Sequence, residues 1–122
     1  MTRYVLIVED SPAMRSFIAS AIEALNDFQI VETSNGFEAL KVLPRYKFDL
    51  ILTDINMPDI NGLELVSFVK KSTEYSHIPL VIITTEGSEK DQQKGLALGA
   101  DAYLVKPFKV EVLQKVLKSY LH

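Results

Sequence analysis

The sequence has no cysteine among its 122 residues, so disulfides, thiolate metal sites and thiol nucleophiles are all excluded. It also lacks an excess of positive charge, because 13 Lys and Arg residues stand against 16 Asp and Glu residues and give a formal net charge of −3. A protein that binds nucleic acid or an anionic membrane needs a basic surface, and this balance argues against both. No apolar run approaches the roughly 20 residues that cross a bilayer. We therefore expect a cytoplasmic protein that does not insert into a membrane.

The rest of the composition is that of an ordinary globular domain. Hydrophobic residues make up 48% of the chain and charged residues 24%, which excludes intrinsic disorder. The apolar residues 4–8 are too few for a signal peptide, and they end at Glu9 and Asp10 rather than at small residues. The length fits one domain, and no polar linker interrupts it. We predict a single domain over residues 1–122.

Short apolar runs alternate with longer amphipathic stretches along the chain. The apolar runs predict strands at residues 4–8, 28–33, 50–53, 80–84 and 102–105. Several of them are apolar at consecutive positions, which is typical of a sheet that is covered on both faces. Strands and helices that alternate in this way form βαβ units with right-handed crossovers. The sequence therefore predicts an α/β fold with a parallel sheet.

The helical stretches differ in how clearly they are patterned. In the first, Met14, Phe17 and Ile18 open a stripe at helical spacing, which we interpret as core. Ser11 can cap this helix, and Pro12 suits its first position, where a missing N–H costs nothing.

The last helix carries a similar stripe that runs from Val110 to Leu121. The fourth helix, near residues 90–98, is polar at its start and contains Gly95, which costs about 1 kcal/mol relative to alanine. We expect this fourth helix to be the element that moves.

Polar residues follow the predicted strands where each strand ends. Glu9 and Asp10 follow the first strand, Asp54 the third, and Lys106 the fifth, while Thr84 ends the fourth. Ligands of open α/β sheets bind at this edge. Each residue alone has a plainer interpretation, since an acid after a strand is usually a turn former or a helix cap and a lysine is usually a surface residue. The combination favours a functional site.

Three carboxylates at one edge of a sheet need compensating cations. Two unit charges about 4 Å apart repel by about 4 kcal/mol at an effective dielectric constant of 20. Lys106 can supply one positive charge, and a hard divalent ion suits the all-oxygen donors. In such a pocket a carboxylate can attack phosphorus and form an aspartyl phosphate. Asp54 is the candidate nucleophile because it stands alone on its strand, with Glu9 and Asp10 left to hold the metal.

The same residues form a set of motifs, namely Glu9-Asp10, Asp54-Ile55-Asn56-Met57-Pro58 with Gly62, Thr84, and Lys106-Pro107-Phe108. In these motifs the whole chain resembles the receiver domain of two-component response regulators, of the CheY-like single-domain type without an output domain. The resemblance implies a flavodoxin-like doubly wound fold, with five parallel strands in the order 2-1-3-4-5 and five helices. It also implies a signalling switch of chemotaxis type rather than an enzyme. A sensor histidine kinase would supply the phosphoryl group, and a downstream protein would read the surface of helix 4, strand 5 and helix 5.

The resemblance further assigns ligands for Mg²⁺. Asp10 and Asp54 would bind the ion through their side chains, the backbone carbonyl of Asn56 would be a third ligand, and Glu9 would act mainly through water. The chain would be a monomer, with dimerisation on phosphorylation as a further possibility.

The switch residues follow from the same resemblance. Lys106 would pair with Asp54 and its phosphate, Thr84 would turn its hydroxyl toward that phosphate, and Tyr103 would follow inward. The plainer alternative for Tyr103 is an aromatic side chain packed permanently on the last helix. The Lys106–Pro107 bond would be cis.

One position departs from the family pattern, because Thr85 follows Thr84 where the family usually carries a smaller residue. We expect this branched side chain to slow phosphate turnover. His77 and His122 do not resemble phosphate carriers and should be solvated.

Three other functional interpretations of the sequence stay open at this point. The same architecture can bind flavin, but the acids of the first loop would repel a flavin phosphate. A phosphohydrolase would carry a second aspartate two residues after its nucleophile, where this chain has Asn56. An inactive receiver-like interaction module is the remaining alternative.

Overall fold

The computed structural model describes residues 3–57, 60–85 and 88–120. Its strands are β1 (Arg3–Val8), β2 (Phe28–Thr33), β3 (Phe48–Asp54), β4 (Leu80–Thr85) and β5 (Ala102–Lys106). Its helices are α1 (Pro12–Glu23), α2 (Gly36–Val42), α3 (Gly62–Lys71), α4 (Glu89–Ala97) and α5 (Val110–Tyr120), with a short 3₁₀ turn at Leu43–Arg45. Within those ranges, no helix is both long and apolar enough to cross a membrane.

The five strands form one parallel sheet in the order β2-β1-β3-β4-β5, which confirms the predicted order. All five predicted strands are present, and β2 has the predicted bounds. Because β1 and β3 are neighbours, with Val8 opposite Thr53, the residues that follow Val8 lie beside the end of β3. The topology therefore brings the acidic segments of the sequence together.

The core consists of two clusters, one on each face of the sheet. Side chains of a strand alternate between faces, so Leu6 of β1 lies in the cluster with α2 and α3, whereas Ile7 lies in the cluster with α1 and α5. β1, β3 and β4 are buried on both faces, which explains their consecutive apolar residues.

Helix α1 begins as predicted. The side chain of Ser11 accepts a hydrogen bond from the backbone N–H of Met14 at 3.3 Å, and Pro12 occupies the first helical position. Ile18 is fully buried, but the prediction that Phe17 belongs to the core is wrong, because Phe17 is 37% exposed. Each residue turns the helix by about 100°, so Phe17 lies at the border of the buried face, with its ring 5.9 Å from that of Phe108.

The stripe of α5 packs on the sheet through Leu113 and Leu117, which are fully buried. Leu121 of the predicted stripe lies outside the described residues, as does His122. His77 is exposed, in agreement with its expected solvation.

Helix α4 is loosely packed, as its polar sequence predicts. Among the described residues of α4, Gly95 alone is buried. A Cβ atom on Gly95 would lie 2.5 Å from Ile82 Cδ1, so the glycine allows α4 to approach β4 closely. The side chain of Ser88 precedes the helix without forming a cap hydrogen bond in the described structure. That α4 moves remains a prediction.

Candidate functional site

Three acidic side chains meet at the carboxyl edge of the sheet. Carboxylate oxygens of Glu9, Asp10 and Asp54 lie within 4.8 Å of one another. Glu9 is 0% exposed and Asp54 is 5% exposed, whereas Asp10 is exposed to solvent. The structure thus brings together the three acids that the sequence proposed, with one of them open to ions from solution.

Lys106 neutralises part of this charge, but its nearest partner differs from the expected one. Its Nζ atom lies 2.8 Å from Glu9 Oε1 and 3.7 Å from Asp54 Oδ2. Glu9 Oε2 accepts a second hydrogen bond, from the backbone N–H of Ser11 at 3.0 Å. Both oxygens of the buried Glu9 are therefore engaged within the protein. This burial fits a side chain that acts on a metal indirectly.

Asp54 is an unusual carboxyl group. Burial raises its pKa from the ordinary value of 3.8 to about 6, the negative charge of Glu9 adds to this effect, and the Lys106 ammonium opposes it. The group is still mostly ionised above neutral pH. Asp54 is therefore a buried carboxylate that can still act as a nucleophile in its ionised form.

The segment after Asp54 is held by the start of α3. The N–H of Gly62 donates to the carbonyl of Ile55 at 2.9 Å, and a Cβ atom on Gly62 would collide with the carbonyl oxygen of Asp54. Only glycine allows this approach. Asn61 caps α3 and forms a reciprocal pair of hydrogen bonds with Glu64. Asn56, the proposed carbonyl ligand, is exposed in this segment, while Pro58 lies outside the described residues.

Thr84 lies at the end of β4 and is 1% exposed. Its hydroxyl donates to the carbonyl of Leu104 at 3.4 Å and accepts a hydrogen bond from Gln92 Nε2, also at 3.4 Å. The hydroxyl is thus directed at β5 and α4. Gln92 was not among the predicted site residues. The sequence could have indicated it, because Gln92 is a polar residue on the helix that follows Thr84.

Tyr103 is 42% exposed on β5, so it is neither turned inward nor buried against α5. The expected inward movement stays a prediction. Thr85 is also exposed, and its hydroxyl lies 3.0 Å from that of Ser88. The Lys106–Pro107 peptide bond is cis, as the resemblance implied.

Arg15 is a second residue near the site that sequence reasoning missed. Its Nη1 atom donates to the carbonyl of Glu9 at 2.8 Å, and its Nε atom lies 3.5 Å from Glu32. Arg15 therefore fixes the backbone on which Glu9 and Asp10 stand. The sequence could have indicated this role, because Arg15 lies one helical turn after the cap residue Ser11 and so on the side of α1 nearest to Glu9.

The donor set of the site fits a hard divalent cation. All candidate ligand atoms are oxygens, and two of the three acids are buried where uncompensated negative charge is costly. Magnesium prefers one or two carboxylates and retains several waters, which matches an exposed Asp10 beside a buried Asp54. The site is therefore suited to Mg²⁺.

Comparison with known proteins agrees with this geometry. The profile of the response regulator receiver domain matches residues 5–118. A chemotaxis protein CheY homologue of Campylobacter jejuni is 36% identical over 117 residues, which are 95% of this chain and 90% of that protein. The polar-differentiation response regulator DivK of Brucella anthropi is 35% identical over 121 residues, which are 99% of this chain and 98% of that protein.

Solved structures show the same fold. The chemotaxis response regulator CheY4 of Vibrio cholerae superimposes with a TM-score of 0.90 at 35% identity, covering 99% of this chain and 100% of that one. The receiver domain of a sensor histidine kinase from Pseudomonas aeruginosa has a TM-score of 0.88 at 25% identity, covers 98% of each chain, and holds a magnesium ion in its active site cleft. The chain described here belongs to the family of response regulator receiver domains of two-component signalling.

Proposed function

We propose that this receiver domain accepts a phosphoryl group on Asp54 in a Mg²⁺-dependent reaction and thereby switches its surface. The observation that carries the proposal is the buried carboxylate of Asp54, with the Lys106 ammonium 3.7 Å away and two further acids beside it. A carboxylate in such a place is a candidate nucleophile with one cation, the Lys106 ammonium, already near it.

In the transfer step, an oxygen of Asp54 forms a bond to phosphorus while the bond from phosphorus to the histidine nitrogen of the kinase breaks. The electron pair of that bond stays on the imidazole nitrogen. Asp10, Asp54 and the carbonyl of Asn56 would hold Mg²⁺, with Glu9 acting through water. Bound there, the ion would neutralise charge on the phosphoryl oxygens. Lys106 supplies a second positive charge at the same oxygens.

The domain acts as a switch rather than as a turnover enzyme. Asn56 stands two residues after the nucleophile, and an amide cannot shuttle protons as a carboxyl group can. We therefore expect the aspartyl phosphate to persist long enough to be read by another protein. Turnover of p-nitrophenyl phosphate should stay far below the rate of a phosphatase.

The switching surface is proposed to comprise α4, β5 and α5. A phosphoryl group adds about two negative charges at Asp54, and the Thr84 hydroxyl can then gain a strong acceptor. Such a ligand shifts the balance between two existing arrangements. Tyr103, Leu96 and Val112 are exposed apolar side chains of these three elements, and a partner can bury them.

The proposed setting is a cytoplasmic chemotaxis pathway with a sensor histidine kinase upstream and a protein target downstream. The chemotaxis names of two of the similar proteins support it, and a polar-differentiation pathway is the alternative that the likeness to DivK supports. The unphosphorylated form is proposed to be a monomer.

The direct test is intact-protein mass spectrometry after incubation with acetyl phosphate and Mg²⁺. The wild type should gain one phosphoryl group, and Asp54→Asn should gain none. Asp49→Asn is the matched control, because it makes the same change at the other end of the same strand. Equal labelling of Asp54→Asn and the wild type would contradict the proposal.

A further inference from the structure

Helix α4 has one polar side-chain contact that joins its first half to the phosphorylation site. Among its described residues only Gly95, near the far end, is buried. Gln92 is half-buried, and its amide group donates to the hydroxyl of Thr84 at 3.4 Å. The hydroxyl of Ser88, which precedes α4, is directed at Thr85 instead of capping the helix. The position of the first two turns of α4 is therefore sensitive to what Gln92 contacts.

The hydroxyl of Thr84 has a single hydrogen to donate, and in this structure it donates that hydrogen to the carbonyl of Leu104. Its oxygen accepts the Gln92 amide. To donate to a phosphoryl oxygen on Asp54, the hydroxyl must withdraw its single hydrogen from Leu104, and a rotation of the Thr84 side chain would move the oxygen that now accepts the Gln92 amide. In its present position the hydroxyl meets both Leu104 and Gln92, so a change of rotamer would disturb both contacts.

We propose that Gln92 is a positioning residue, which holds the Thr84 hydroxyl toward α4 in the unphosphorylated protein and releases α4 when Thr84 turns to the phosphoryl group. This proposal rests on the proposed function of Asp54. It adds the specific group through which α4 senses the state of Thr84. Gln92 carries no charge, and its amide group donates to the Thr84 hydroxyl, so it is proposed to act through Thr84.

The size of the effect follows from the geometry. A neutral hydrogen bond of 3.4 Å lies at the weak end of the range, and we expect its loss to shift the balance between the two arrangements about twofold. Loss of the Gln92 hydrogen bond should favour the phosphoryl-bound arrangement, because only the unphosphorylated arrangement contains that bond.

The test compares Gln92→Met with Gln93→Met. Methionine has nearly the same shape as glutamine and a high helix propensity, but it has no donor. Gln93 is the exposed neighbour in the same turn and serves as the matched control. Gln92→Leu is the second variant, to be used if the methionine variant does not fold.

Two readouts are needed. Without Mg²⁺, amide hydrogen exchange in the first two turns of α4 should be about twofold faster in Gln92→Met and unchanged in Gln93→Met. With Mg²⁺, the concentration of BeF₃⁻ (a noncovalent analogue of a phosphoryl group) that half-saturates the protein should fall about twofold in Gln92→Met. Both effects should vanish in a Thr84→Val background, which keeps the shape of Thr84 and removes its hydroxyl.

Unchanged exchange, a weaker response to BeF₃⁻, or an effect that persists in the Thr84→Val background would overturn the proposal. Faster exchange with unaltered BeF₃⁻ affinity would show that Gln92 is a structural contact only. Failure of the proposed function is a separate outcome: the wild type would then bind no BeF₃⁻ and take no phosphoryl group from acetyl phosphate. In that case the role of Gln92 in switching is also refuted.

Discussion

Replacing Asp54 by asparagine should stabilise the unphosphorylated protein at pH 8 when divalent cations are absent. Burial and the charge of Glu9 raise the pKa of Asp54 to about 6, which means that the folded protein disfavours the ionised carboxylate. The contribution of this group to stability is fully present below its ordinary pKa of 3.8 and is lost as the pH rises through about 6. An uncharged asparagine of the same shape avoids that loss.

The magnitude follows from the difference between the two pKa values. A carboxyl group with a pKa of 3.8 in the unfolded chain and about 6 in the folded protein disfavours folding by about 3 kcal/mol at pH 8. At pH 4 the same difference contributes less than about 1 kcal/mol, because the folded carboxyl group is then protonated. The stabilisation by Asp54→Asn should therefore grow with pH between these limits.

Urea denaturation followed by circular dichroism measures this difference in buffers that contain EDTA. Asp49→Asn is the control, and it should be neutral or destabilising at every pH because the Asp49 carboxylate accepts the backbone N–H of Tyr4 at 2.9 Å. Added Mg²⁺ should reduce the advantage of Asp54→Asn, since an ion bound to the wild type stabilises its folded state. A wild type that equals Asp54→Asn at pH 8, or a gain that is as large at pH 4, would refute the reasoning.

Three further predictions concern Lys106, Gly62 and Thr85. Lys106→Met leaves the buried Glu9 carboxylate without its cation, so it should lower the free energy of unfolding in urea by about 3 kcal/mol at pH 7. A loss under about 1 kcal/mol would argue against the pairing of Lys106 with Glu9. Gly62→Ala should lower the free energy of unfolding by at least about 2 kcal/mol, because its Cβ atom would meet rigid backbone. Gly95→Ala should lower it by less, because the Cβ atom there would meet the end of a flexible side chain. Equal thermal denaturation curves for the two glycine variants would contradict this account. Thr85→Ala should shorten the half-life of the phosphorylated protein, followed by the decay of the phosphorylated mass; an unchanged or longer half-life would count against slow turnover at this position.

The fold was largely predictable because its strands are apolar runs that end at charged or polar residues. The run of β1 ends at Glu9, and β2 has the predicted bounds. β3 begins two residues earlier than predicted, because Phe48 is a buried aromatic separated from Leu50 by the polar Asp49. The strand order was predicted from the family resemblance, since periodicity alone does not determine which strands are neighbours.

The positions of the acids were predictable, but their individual partners were not. Parallel strands bring their carboxyl ends to one edge, which places Glu9 near Asp54 whatever the side-chain rotamers are. The closer approach of Lys106 to Glu9 depends on a difference of less than 1 Å, which a pattern of residues does not contain. The exposure of Tyr103 is a matter of one side chain's orientation on an edge strand, and it escapes sequence reasoning for the same reason.

The sheet separates the two clusters of the core. This separation affects which residues can change between related domains without disturbing the rest of the core. α4 lies over the cluster that contains Ile82 and Ala100, whereas α1 packs into the cluster on the opposite face. Side-chain packing under α4 is therefore isolated from α1 by a layer of hydrogen-bonded backbone. Substitutions on the α4 side can accumulate while the opposite layer keeps its packing. A lineage of such domains can thus change the contacts that α4 offers to partners while α1 and α5 keep their packing on the opposite face.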